Sequence, residues 1–264
     1  MPSEILPTTP ADMPAVAAFL ADVYQSGPDA LFVQPAMLRW KYYEPHPAWA
    51  GSRSYVMKEA QRIVAHGCAC PVTFLVPGGE VRGTTVNDWA AERVSPGAGV
   101  LLMRKIGALV EFLMAVGGSE QTRAILPRIG FSCCGEVASY ARVLRPWRQF
   151  RAYPHKNWKS PLRLVRNTLW SFSALTSPPR DWSARPVPQF DPEISPLLAS
   201  ARARSFTPAK RTPELLNYML RCPGAAFSGF LLYAGRALRG SSSMRTLHPS
   251  ISSRRSSGRA TRER

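Results

Sequence analysis

The residues with the most chemistry to offer lie between Asn87 and Phe131. Asp88 and Glu120 are carboxylates able to take a proton from an attacking nucleophile. Between them, Pro96-Gly97-Ala98-Gly99 interrupts the chain just ahead of an apolar run that starts at Val100. Glycines there let the backbone come close to a ligand. The unpaired N–H groups of a first helical turn, with the positive end of the helix dipole, suit phosphate oxygens. On its own such a segment is equally a plain connection, and acids so placed are more often solvated or helix-capping carboxylates than bases. His66, Cys68 and Cys70 alternate, so on a strand they share one face and offer three metal ligands. Same-face neighbours lie nearly in line and no fourth ligand is evident, so no metal is expected. Trp40, Tyr43 and Tyr218 either line an acceptor pocket or fill a core; core is the reading for Trp40, and Tyr43 stays open.

The elements that must hold these residues follow from periodicity. Residues 11–24 carry Val16, Phe19, Leu20 and Val23 at helical spacing. A second short helix is expected over 35–42, where Pro35 suits a first turn. Strands are expected over 54–58 and 62–70, with a turn at 59–61. Pro77-Gly78-Gly79 is turn chemistry before a strand over 83–89. A helix over 97–108, a strand over 110–116, a helix over 120–129 closed by Gly130 and a strand over 137–144 complete the order. This is a mixed α/β domain spanning 1–145.

Beyond it the composition changes. Residues 1–145 hold 13 Lys+Arg against 12 Asp+Glu, whereas 146–264 hold 21 against 5, so nearly all of the +17 net charge belongs to the second part. The segment 146–188 reads as a basic, proline-rich linker in which Trp147, Phe150, Tyr153 and Trp158 alternate with Arg and Lys. That run would follow a nucleic-acid backbone, lie on an anionic membrane, or pack as a linker helix with solvated bases. Residues 189–240 echo the start of the chain: adding 178 to Pro35, Leu38, Trp40 and Pro45 gives Pro213, Leu216, Tyr218 and Pro223. Residues 241–264 are rich in Ser and Arg and lack aromatics, the composition of a disordered tail.

The 45% apolar content argues against general disorder. The longest apolar stretches are far shorter than the roughly 20 residues of a membrane span. The acidic N-terminus MPSEIL does not resemble a secretory signal. Five cysteines, two of them adjacent, do not form a disulfide framework. A cytoplasmic protein is expected.

The strand ending at Asp88-Trp89, the Pro96-Gly97-Ala98-Gly99 loop, the helix and strand after it, and Gly130-Phe131 together resemble the GNAT superfamily of acyl-CoA-dependent N-acetyltransferases. The resemblance covers about residues 10–145, with a partial second copy near 190–240. It implies a central, mostly antiparallel sheet flanked by helices, with acetyl-CoA or another acyl-CoA as co-substrate. Gly97, Ala98, Gly99 and Val100 would bind its diphosphate. The thioester would lie in a splay between the strands at 85–89 and 110–116, where an amine attacks directly. Asp88 and Glu120 are the candidate bases, and a small-molecule or peptide amine is the partner. Two positions depart from the family's pattern: no Arg or Gln stands at its usual place before the glycines, and the tyrosine many members use as an acid falls at Leu126. The alternatives are a non-catalytic relative that binds CoA or a partner, and a polyanion binder working through 146–170 and the basic tail.

Overall fold

A computed structural model describes residues 4–137, 143, 145–153, 157–172, 181–202, 209–224 and 226–246. The first sheet has the order β1-β2-β3-β4-β5, formed by Glu4–Pro7, Ser54–Glu59, Arg62–Val76, Gly79–Ala91 and Phe112–Met114. All its pairings are antiparallel except β4–β5, which is parallel. Helices α1 (Met13–Val23) and α2 (Pro35–Tyr42) precede β2, α3 (Ala98–Gly107) crosses from β4 to β5, and α4 (Glu120–Ile125) follows β5.

Local sequence explains these elements. In α1, Val16, Phe19 and Leu20 at i, i+3 and i+4 are the buried positions, one stripe of a 3.6-residue helix. The β2–β3 connection is two residues, Ala60 and Gln61, both at positive φ, which matches the twist of the flanking strands. At the β3–β4 connection Pro77 presets its own φ and Gly78 takes the left-handed position at +87°. Side chains then divide by face. Val56, Ile63, Cys68 and Ala90 pack under α1 and α2, while Met57, Val64, Ala65 and Ala69 pack under Ala98, Leu102 and Ile106 of α3. The sheet is thus the middle of three layers. Each fully buried Leu or Val in it contributes about 1.5–3 kcal/mol.

Several expectations change in detail. β1 was not foreseen: four residues at a sheet edge give too short a pattern. The β3–β4 ribbon is longer than expected because β3 runs through Pro71, which lies past the last β2 residue, where a missing N–H is tolerated. β5 is shorter than 110–116. The 120–129 helix tightens to a 3-10 turn at Leu126–Ile129, where Pro127 supplies no N–H, and Gly130 closes it at φ +96° as its position predicts. Most of the strand expected over 137–144 lies outside the described residues.

The expected linker holds two helices, α5 (Pro146–Ala152) and α6 (Ser160–Phe172), and a strand, β6 (Trp182–Val187). After α7 (Ser195–Arg202) and α8 (Pro213–Leu220), the hairpin β7 (Ala226–Ala234) and β8 (Ala237–Thr246) joins β6 in an antiparallel sheet of order β6-β7-β8. β8 takes in the first residues of the expected disordered tail. Ser241 and Ser243 face Leu231 and Gly229, and backbone pairing needs no apolar side chain. The order strand, two helices, hairpin therefore occurs twice.

Candidate active site

The strand β4 is set up to part from β5. Their parallel register runs Gly83↔Phe112, Thr84↔Leu113 and Thr85↔Met114; β5 then stops while β4 continues to Ala91. Three residues past that parting, β4 bulges. Cys68 faces Asn87 and His66 faces Ala90, so one extra residue stands on β4, and Asp88 has φ +48°. A bulge re-aims the side chains around it. The Asp88 carbonyl accepts from Nδ1 of His66 at 2.9 Å. Nε2 is then left to accept from Ser54 Oγ at 3.0 Å. Burial lowers the His66 pKa to about 4, so the ring is neutral.

The Asp88 carboxylate is well partnered. Its Oδ2 accepts from Lys41 Nζ at 2.6 Å and from Tyr42 OH at 2.8 Å, both from the end of α2. Burial pushes the Tyr42 phenol well up, and the Asp88 charge adds to this. Tyr24, from the end of α1, donates its hydroxyl to the Trp89 carbonyl at 3.0 Å; burial raises its pKa to about 12. Two phenols and an ammonium thus surround one bulge. Sequence reasoning found Asp88 but passed over Tyr24, Lys41 and Tyr42, since nothing local to those residues announces a contact with β4.

The loop from Ala91 to α3 ends in Gly97, whose left-handed φ of +87° suits only glycine readily, with open space where a Cβ would stand. Gly99 serves a different need. A Cβ there would lie 3.1 Å from that of Ala91 and 3.2 Å from Trp89 Nε1, and the indole donates to the Gly99 carbonyl at 2.8 Å. Of the four amides expected in the cradle, Ala98 N–H donates to Ser95 O at 3.2 Å. Those of Gly99 and Val100 precede the first intrahelical bond, Leu101 N–H to Gly97 O. Ala98 and Gly99 are buried and Gly97 is exposed. Arg93 stands exposed in the same loop, four residues before Gly97, and was also overlooked.

Glu120 lies apart from this cluster in its surroundings. It is exposed in the first turn of α4, which Ser119 caps by accepting from Thr122 N–H at 3.1 Å. Cys68 and Cys70 share the His66 face, with sulfurs 3.9 Å apart and Asn87 donating to Cys70 Sγ at 3.1 Å. Among the described residues no group of three or more His, Cys, Asp or Glu is arranged to hold a metal ion. Two cavities, of about 1050 and 330 Å3, lie elsewhere, one between α7, α8 and β8 and the other beside Trp49 and Val110. Asp88 itself lies on β4 past the last residue paired with β5, its side chain 15% exposed.

Trp40 and Tyr218 meet each other. Their rings stack at 4.9 Å, Trp40 Nε1 donates to the Tyr218 carbonyl at 3.0 Å, and Tyr218 OH donates to the Trp40 carbonyl at 2.9 Å. Beneath them, fully buried Arg53 donates to the carbonyls of Trp40, Lys41 and Glu44, each at 2.8 Å. It also donates to Tyr218 OH at 3.1 Å. A cation on the last carbonyls of α2 is favoured by the helix dipole. Tyr43 shares a hydrogen bond with Thr8 Oγ1 at 2.7 Å.

No family model matches the sequence, and no curated protein matches it. Solved structures do match. A conserved Enterococcus faecalis protein, described as a probable N-acyltransferase, has a TM-score of 0.52 at 10% identity over 94% of this chain and 56% of its own. The N-myristoyltransferase of Saccharomyces cerevisiae, solved with myristoyl-CoA and inhibitors, also has a TM-score of 0.52, at 14% identity over 92% of this chain and 58% of its own. The fold is a GNAT fold. Both likenesses take in more than nine-tenths of the chain, so they extend over both sheets, and the chain spans little more than half the length of each of these proteins. In the GNAT fold seen here, the parting of β4 from β5, the Asp88 bulge and the start of α3 follow one another along a single stretch of chain. No helix among the described residues is long and apolar enough to cross a membrane.

Proposed function

We propose that the protein is an acyl-CoA-dependent N-acyltransferase. The observation that carries this reading is the succession on one strand: β4 loses β5 after Thr85, bulges at Asp88, and leads through Arg93 to a helix that opens on a left-handed Gly97. Such an end supports a diphosphate held by the amides of Gly97, Gly99 and Val100, with Ala98 contributing in place of its long bond to Ser95 and Arg93 adding a cation. The thioester, acetyl in the simplest case, supplies an activated acyl carbon. An amine attacks that carbon, its nitrogen bonds to the acyl group, and CoA leaves as the thiol. Asp88 would accept the amine's proton directly or through water. Tyr24, protonated at neutral pH, would have to exchange its bond to the Trp89 carbonyl for one to the departing sulfur in order to act as the acid. Glu120 would be the base only if the amine entered from the α4 side.

The tie between Asp88, Lys41 and Tyr42 favours one second reading, a relative that binds CoA without turning it over. We also read the chain as a tandem repeat. Trp40 and Tyr218 differ by 178 residues and exchange the same kind of bond in both directions, as residues beside a two-fold axis do.

Acetyl-CoA in excess should raise the melting temperature by mass action, and incubation with a panel of amines should release free thiol. Asp88→Asn should leave the thermal shift in place and cut thiol release about 100-fold or more. No shift at millimolar acetyl-CoA would remove the reading. A shift without release from any amine would select the non-catalytic relative.

A further inference from the structure

We propose that α6, with the turn that enters it, is a docking surface for an anionic lipid membrane. Trp158, Leu162, Val165, Leu169 and Phe172 are spaced four, three, four and three residues apart, one stripe of an α-helix. All five are between 58% and 76% exposed. Helices of folded proteins turn such a stripe inward; α6 does the reverse. Its buried residues are Ser160 and Asn167, on the opposite side, and Asn167 Nδ2 donates to Gln149 Oε1 of α5 at 2.9 Å. The polar side is therefore spent on α5 and the apolar side is presented outward.

Charge and residue type identify what the stripe fits. At 100° per residue, Lys159, Arg163 and Arg166 form a row along one flank of the stripe, and all three are exposed. Lys159 stands 5.1 Å over the Trp158 ring and Arg166 5.3 Å over that of Trp170. From residue 137 to 180 the sequence has nine Lys or Arg and no acid. Cations beside an aliphatic and aromatic stripe match the boundary between anionic headgroups and acyl chains, where tryptophan also resides. A helix of 13 residues is about 20 Å long, too short to span a bilayer, and would lie in its plane. Nucleic acid would satisfy the cations but leave Leu162, Val165 and Leu169 without partners. A second copy would bring two such cationic rows together.

The surface is independent of the acyl-transfer reading, and its test needs no activity. Full-length protein is mixed with vesicles of phosphatidylcholine alone or with one-quarter phosphatidylglycerol, and binding is read by co-sedimentation and by the tryptophan emission shift. Binding to the anionic vesicles with a blue shift is expected, with at least tenfold less on neutral ones. The double substitution Leu162→Glu/Leu169→Glu, on exposed positions and checked for an unchanged melting curve, should reduce binding about tenfold or more. Arg163→Gln/Arg166→Gln should weaken it several-fold and flatten its salt dependence. No binding to anionic vesicles overturns the proposal, as does equal binding of the Leu162→Glu/Leu169→Glu protein. Oligonucleotide binding that displaces vesicles and ignores those glutamates would assign the surface to nucleic acid. A dimer lost on the same substitution would assign the stripe to a second copy.

Discussion

The two strand–helix–helix–hairpin units share a plan and differ in what covers them. In the first, β2 and β3 are buried on one face by α1 and α2 and on the other by α3, giving Val56, Val64, Ala65 and Leu102 essentially no exposure. In the second, most described side chains of β7 are half-exposed, and the buried apolar residues are few, Phe190, Ile194 and Tyr218 among them. Among the described residues the second unit therefore has little core of its own, and Tyr218 is turned toward the first. Its hydroxyl and ring meet Trp40 and Arg53, which hold the end of α2, and that end carries Lys41 and Tyr42 to Asp88. A unit without a sheet buried on both faces still serves as a brace for the helix behind the candidate site.

Substitutions should break this relation in a definite order. Arg53→Met removes four hydrogen bonds at once, to the carbonyls of Trp40, Lys41 and Glu44 and to Tyr218 OH, and should cost about 3–5 kcal/mol in urea unfolding. Arg221→Met, which removes a largely exposed cation near the same Tyr218 ring, should change stability by less than about 0.5 kcal/mol. Equal effects of the two would mean that the brace is not where the stability lies. Leu102→Ala should cost about 3 kcal/mol through its cavity, whereas Leu231→Ala in the half-exposed second hairpin should cost under about 1 kcal/mol. Acid separates the units as well, because His66 belongs to the first. Its folded pKa, about 4, lies below the ordinary 6.5, so the unfolded chain takes up the proton first. The stabilisation from the neutral ring is complete above about pH 6.5 and is lost as pH falls toward 4, on the order of 2–3 kcal/mol. A His66→Gln protein should show a flatter stability curve across that window. Tyr218→Phe, which keeps the stack with Trp40 but loses the hydroxyl's bonds, should cost about 1–2 kcal/mol.

The first unit was more legible in sequence than the second. Helical spacing in α1, Pro35 at the start of α2 and Gly130 after the 3-10 turn are local signals, and the structure follows them. β1 and β6 carry no comparable signal, because a short edge strand and one containing Pro186 are held by a single neighbour. At the site, the break at Gly97 could be read from the chain itself. The reason for Gly99 could not, since it is the indole of Trp89 packed ten residues away. Asp88 stood out as an acid at a strand end, but Lys41 and Tyr42 reach it across more than 40 residues of sequence, a contact fixed by the docking of α2.

The β3–β4 ribbon has a further consequence. Past Cys68 its outer rim has outrun β2, and a rim of unpaired peptide groups is a template on which another molecule can polymerise. Here it is fastened from within: Phe74 bridges Ala209, Lys210 N–H donates to Thr73 O at 2.7 Å, and the Lys210 ammonium meets Glu80 at 2.8 Å. That clasp comes late in the chain, so during translation the ribbon leaves the ribosome long before its fastener does. Until residues 209 and 210 are in place that rim is open to pairing with another chain, so a chain cut before residue 209 should aggregate more readily than the full one, as light scattering would show.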